Sequence, residues 1–322
     1  MMMNTGSYNE EYRNRRRVTR IAGALLFVAG IAFVLLAMLE TQCFSFFSDG
    51  GRFHYEGFGF GSFMFANITV QVVVYFLTGA LLAFIGYGHF RFRRWSAQLS
   101  RCLMWAWLFI GLPVIAMVYF LLLASKEVTP AAAVLALVVL GLSYFVLPGL
   151  VIRYFGSPKA GRFYEAADPG TRWTDRIPAR IAVLSILYSF CVFGLLVLLL
   201  LKGIFPVFGT FVYGTGGIVL IAVTTLFFVL LIWGTLRQRI WAWWGACLLL
   251  GLLTVSAVSA FLCTGYSAVL AGLSFPPSEM QFLAAIPAQG WHLAVLAAIP
   301  LLSILSAAAL SKRFFGNRRE PA

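Results

Sequence analysis

The reactive groups of this 322-residue chain are few: three histidines, five cysteines and eleven carboxylates. His54 stands in the run Phe53-His54-Tyr55-Glu56, where an imidazole and a carboxylate lie among aromatic rings. The surrounding aromatics and glycines fit a cap lying on the outer interface of a membrane; as an alternative the loop forms an entrance for a ligand or lipid, with Phe53, His54, Tyr55 and Glu56 as the candidate ligand contacts. A metal would have to draw on His54, Glu56, His292 or Glu279, and a haem with two histidine ligands on His54 and His292. Neither set has zinc-ligand spacing, so no metal and no cofactor is expected. A second run, Arg172-Trp173-Thr174-Asp175-Arg176, places charges of both signs around an indole. Arg172, Trp173, Asp175 and Arg176 are the candidate contacts for a protein partner; as a structural device, the same run is a clamp at the start of a helix. Among the cysteines, Cys43 and Cys263 lie where oxidation is possible, and a bridge between them is an open expectation.

Composition dictates the elements that must carry these residues. Hydrophobic residues make up 61% of the chain and charged residues 11%, with a mean hydropathy of +0.90. A soluble domain is about a quarter charged, so a soluble globular fold, a disordered chain and a disulfide scaffold are excluded. Eight uncharged apolar runs have about the 20 residues that cross a hydrocarbon core: 21–39, 66–88, 102–124, 131–152, 181–201, 213–236, 240–263 and 291–310. In lipid each run must satisfy its own backbone, which a helix does and an isolated strand does not. The expected fold is therefore an all-α polytopic transmembrane helix bundle with eight spans. The first run is too long for a signal peptide and has no clear small-residue cleavage site after it, so it reads as an uncleaved anchor.

Charge sets the orientation. With eight spans, only Arg52, Lys126 and Lys202 of the 24 lysines and arginines fall on one side. The positive-inside rule then places the other side, with both termini, in the cytoplasm. The net charge of +13 is a basic inner rim facing anionic lipid headgroups; it is not a nucleic-acid footprint. Membrane lipids are the expected partners, together with a protein partner or a second copy of the chain.

A tandem duplication is legible as well. Arg20-Ile21-Ala22 recurs as Arg180-Ile181-Ala182, and Arg153-Tyr154-Phe155-Gly156 as Arg313-Phe314-Phe315-Gly316, both 160 residues apart. Arg93-Arg94-Trp95 pairs with Arg239-Ile240-Trp241 at 146. The expected organisation is a tail over 1–20, a four-helix unit over 21–152, a connecting loop over 153–180, a second four-helix unit over 181–310 and a tail over 311–322. Two tandem units with an even number of spans share one orientation.

The connecting loop carries Arg162-Phe163-Tyr164-Glu165-Ala166-Ala167-Asp168-Pro169, then Arg172-Trp173-Thr174-Asp175-Arg176 and Pro178. This run resembles a loop motif of a family of bacterial polytopic inner-membrane proteins, with Ile177 and Ala179 where that pattern has cysteine and leucine. Arg239-Ile240-Trp241-Ala242-Trp243-Trp244 is similar to a helix start common in small bacterial membrane proteins. The resemblance implies a bacterial inner membrane and carries no activity over. No Asp, Glu, Lys or Arg lies in the middle of a run, whereas ion coupling and intramembrane catalysis place ionisable groups there. The expectation is a protein that is not an enzyme: a scaffold, sensor or assembly partner, or alternatively a permease for an apolar or amphipathic small molecule. Gly23 with Gly30 and Gly79 with Gly86 are expected at close helix contacts, and Pro113, Pro148 and Pro300 at irregular points in three helices.

Overall fold

The computed structural model describes residues 5–48, 50–53, 56–124, 129–170 and 173–316. The long helices are α1 (Thr5–Phe47), α2 (Phe63–Phe90) and α3 (Arg94–Ala124), followed by a composite of α4 (Pro130–Gly141), a π-turn (Leu142–Val146) and α5 (Leu147–Phe155). Then come α6 (Pro158–Ala167), α7 (Ala179–Leu200), a hairpin of β1 (Phe205–Val207) and β2 (Thr210–Val212), α8 (Gly214–Leu236) and α9 (Ile240–Thr264). Two short helices, α10 (Tyr266–Leu273) and α11 (Pro277–Ala284), lead to α12 (Gly290–Ala309). Eight helical segments are long and apolar enough to cross a membrane, one for each apolar run. The protein is an all-α, multi-pass membrane protein.

Two elements differ from their expected bounds for plain reasons. Helix α1 continues through Arg13, Arg15, Arg16, Arg17 and Arg20, because arginine is a good helix former in water. In the fourth span the ring of Pro148 would collide with the carbonyl four residues back. A π-turn over Leu142–Val146 widens the helix just before it.

The chain divides into two compact units. Unit 1 comprises Met1–Phe46, Ile68–Met104 and Gly149–Ile177; unit 2 comprises Phe47–Asn67, Trp105–Pro148 and Pro178–Ala322. In unit 1, α1 and α2 touch backbone to backbone. A Cβ on Gly30 would stand 2.5 Å from the Ala83 nitrogen and 2.7 Å from the Gly79 oxygen, and one on Gly86 2.5 Å from the Phe27 nitrogen and 2.7 Å from the Gly23 oxygen. The four glycines flagged by their spacing thus face one another in two pairs. In unit 2, α7 packs along α8 and α9 along α12, while α7 and α12 meet along a much shorter seam. The Trp243 indole N–H donates to the Ala308 carbonyl at 2.9 Å, tying α9 to α12. This tryptophan is therefore a buried interhelical link, whereas Trp241 and Trp244 are exposed.

The joints α2–α3 and α8–α9 share one geometry. Arg91 N–H reaches the Tyr87 carbonyl at 3.0 Å and Arg93 N–H that of Gly88 at 2.8 Å; Arg237 N–H reaches Trp233 at 3.1 Å and Arg239 N–H reaches Gly234 at 2.9 Å. Phe92 and Gln238 take left-handed φ angles of 53° and 54°. A Cβ on Gly88 would meet the Trp95 ring and the Ser96 Cβ, and one on Gly234 the Trp241 ring and the Ala242 Cβ, all at 2.6–2.8 Å. All these matches fall at the 146-residue offset.

Candidate functional site

Unit 2 holds a cavity of about 570 Å³, within the roughly 300–1,000 Å³ of ordinary small-molecule sites. It lies along the short seam between α7 and α12. One wall is the α7 face bearing Leu187, Phe190, Cys191, Gly194 and Leu198; opposite are Ala297, Pro300, Leu301 and Ile304 of α12. Phe109, Ile110 and Pro113 of α3 and Leu253, Ala257 and Phe261 of α9 close the sides. Pro113 and Pro300 both sit inside helices, where a missing N–H interrupts the ladder. Gly194 leaves part of the α7 wall empty, since a Cβ there would meet nothing within 4 Å. Phe190 and Gly194 are exposed as well as cavity-lining, so the space reaches the surface between helices. Among the described lining residues, Cys191 carries the sole polar side-chain group. Such a space accepts hydrocarbon and offers next to nothing to an ion.

One end of the cavity is closed by a cap. The hairpin supplies Phe205, Pro206 and Phe211, and α10 supplies Val269 and Leu273. Phe208 (φ 28°) and Gly209 (φ 93°) form the two-residue turn, both at positive φ as a tight right-twisted hairpin requires. Ser256 of α9 fixes it: its hydroxyl donates to the Pro206 carbonyl at 2.7 Å and accepts the Phe208 N–H at 3.1 Å. Phe211, Val269, Leu270, Leu273, Phe275 and Leu283 then form a buried apolar cluster. The sequence signal for the hairpin is the short apolar stretch broken by Phe208-Gly209 between two spans.

Glu279 joins the cap to the start of α2. Its two oxygens accept the Phe63 and Met64 N–H groups, each at 2.8 Å. Ser62 takes the next two donors, Phe65 N–H on its hydroxyl at 3.2 Å and Ala66 N–H on its carbonyl at 3.1 Å. The four orphan donors of this helix end are thereby satisfied. Glu279 is 5% exposed and engaged with backbone, so it is a cap and not an open ligand. His292 is also a capping residue: its Nδ1 accepts the Gln289 N–H at 3.0 Å, and its ring lies 4.5 Å from that of Phe120.

The run expected to contact ligand is only partly described. Phe53 is 58% exposed with its ring 6.3 Å from that of Phe47, and Glu56 is exposed. His54 and Tyr55 lie outside the described residues. Neither Phe53 nor Glu56 lines the cavity. In the connecting loop, Trp173–Arg176 forms a 3-10 turn. Asp175 faces a smaller polar cavity in unit 1, Arg176 is exposed, and Arg172 lies outside the described residues. Cys43 and Cys263 are free thiols. Cys263 packs against the hairpin turn, its sulfur 3.6 Å from where a Cβ of Gly209 would be.

Unit 1 holds a buried polar network that the sequence does not announce. His89, at the end of α2, is fully buried. Its Nδ1 lies 2.7 Å from the Tyr164 hydroxyl and its Nε2 2.8 Å from the Ser100 hydroxyl. Phe155 stacks on its ring at 4.8 Å. Burial pushes the Tyr164 phenol above its ordinary pKa. Nearby, Asp168 accepts from the Arg93 guanidinium at 3.2 Å and from the Arg94 N–H at 3.4 Å, capping α3.

No family model, no curated protein and no solved structure matches this chain.

Proposed function

We propose that this integral membrane protein takes an apolar or amphipathic small molecule into the unit 2 cavity, and that it acts as an uncoupled or partner-driven permease. The observation that carries this reading is the cavity itself, with aliphatic and aromatic walls and an empty stretch of wall at Gly194. Of the two sequence-based expectations, permease and scaffold, a ligand-sized apolar space favours the permease. The reading involves no chemical step; selectivity comes from the shape of the space and from exclusion of charge, whose burial in hydrocarbon is costly. The duplication and the matched joints support it, because paired helical repeats are a recurrent transporter architecture.

The test is saturable binding of a fluorescent alkyl acid, 11-(dansylamino)undecanoic acid, to the detergent-purified protein. Gly194→Phe fills the empty wall. It is expected to weaken binding about tenfold or more, roughly 1.4 kcal/mol, with an unchanged melting temperature. Equal affinity of wild type and Gly194→Phe would remove the cavity as the site.

A further inference from the structure

The unit 2 cavity has a side opening as well as a cap. Leu187, Phe228 and Ala257 line it and are buried, whereas Phe190 and Gly194 line it and are exposed. Those two are four residues apart, one turn along the same face of α7. They are the twelfth and sixteenth of the 22 residues of α7, so the opening lies in the body of an apolar span and not at its end. The nearest charged residues along the chain, Arg180 and Lys202, are ten positions before Phe190 and eight after Gly194, roughly 15 and 12 Å along a helix axis. The neighbouring Ser189 hydroxyl donates to the Ser185 carbonyl at 3.0 Å. The cap end is different: Phe211, Val269 and Leu273 are buried there in one apolar cluster, and Ser256 holds the hairpin across it.

We infer that the ligand of this cavity is an uncharged hydrocarbon lipid, linear or branched, that enters sideways from the bilayer between Phe190 and Gly194. The inference rests on the cavity reading above and narrows its ligand class. An opening in the body of a membrane span faces lipid chains and not water. A molecule with a charged headgroup would have to carry that group into the opening, where burial without a partner is costly. The described lining residues include no Asp, Glu, Lys or Arg, and the Cys191 thiol is a weak donor. A molecule without a headgroup loses no polar contact on leaving the bilayer. It gains dispersion contacts with walls that an empty space would leave without partners.

Photolabelling of the full chain in phospholipid vesicles tests both the class and the route. One probe is hexadecane bearing a diazirine; the other is hexadecylphosphocholine with the diazirine beside its headgroup. Tagged residues are identified by tandem mass spectrometry. The alkane is expected to tag the buried Leu187, Phe228 and Ala257 as well as the exposed Leu196 and Val229, and the phosphocholine probe to tag exposed residues alone. Gly194→Phe obstructs the opening. It is expected to cut alkane tagging of the buried three about tenfold or more, with Leu196 tagging and the melting temperature unchanged. Tagging of the buried three by the phosphocholine probe at the level of the alkane overturns the ligand class. Alkane tagging of them that Gly194→Phe leaves undiminished overturns the opening. Absence of alkane tags on them, with binding of the dansyl acid still sensitive to Gly194→Phe, overturns entry from the bilayer and leaves the cavity reading standing. Dansyl-acid binding insensitive to that substitution removes the cavity reading and this inference with it.

Discussion

Both oxygens of Glu279 are taken by backbone donors at the start of α2, and the residue is buried within the cap of unit 2. Removing this carboxylate leaves two N–H groups without an acceptor. A hydrogen bond to a charged group contributes about 1.5–3 kcal/mol, so Glu279→Ala is expected to lower the melting temperature of the purified protein by several degrees. Glu279→Gln retains one acceptor and falls between the two; a melt of Glu279→Ala equal to wild type would show that the cap contributes nothing. The spacing of residues allowed Glu279 to be suspected as a ligand but gave no sign of its actual use, because its partners lie 215 and 216 positions away. His89 teaches the same lesson. A single imidazole at the end of a span reads as interfacial, and only the docking of α6 buries it against Tyr164.

At the scale of elements, the glycine pairs make the sharpest prediction. Gly30 and Gly86 have no room for a Cβ, whereas Gly149, also helical, has nothing within 4 Å. Gly30→Leu and Gly86→Leu are expected to force α1 and α2 apart, abolishing a monodisperse peak in size-exclusion chromatography. Gly149→Ala is expected to leave the peak intact and to stabilise slightly, since alanine favours helix over glycine by up to about 1 kcal/mol. This contact was legible because Gly23/Gly30 and Gly79/Gly86 are each seven residues apart, which repeats a helix face. The spans were legible because hydrocarbon demands about 20 apolar residues in a row. The cavity was not legible: Gly194 sits in an apolar helix just as the packing glycines do, and only the course of α12 shows that nothing fills the space beside it. The hairpin was missed for a related reason, since its six strand residues, Phe205–Val207 and Thr210–Val212, depend on Ser256 of another helix for their anchor.

For the whole molecule, the proposed orientation rests on charge. In the sequence, arginines and lysines crowd the segments joining the second and third, fourth and fifth, and sixth and seventh apolar runs, and with eight spans only Arg52, Lys126 and Lys202 are expected on the opposite side. Moving one such residue to the bilayer centre costs about 2.5–3.5 kcal/mol on insertion scales, so reversing the chain would require many of them to cross. The direct measurement is labelling of single cysteines in intact cells by a membrane-impermeant maleimide, with the five native cysteines replaced. Cysteines at Phe60 and Phe282, both exposed, are expected to react from outside. Cysteines at Lys159 and Arg237, also exposed, are expected to react only after the membrane is permeabilised. Labelling of either basic-side position in intact cells, or protection of both Phe60 and Phe282, would contradict the eight-span arrangement.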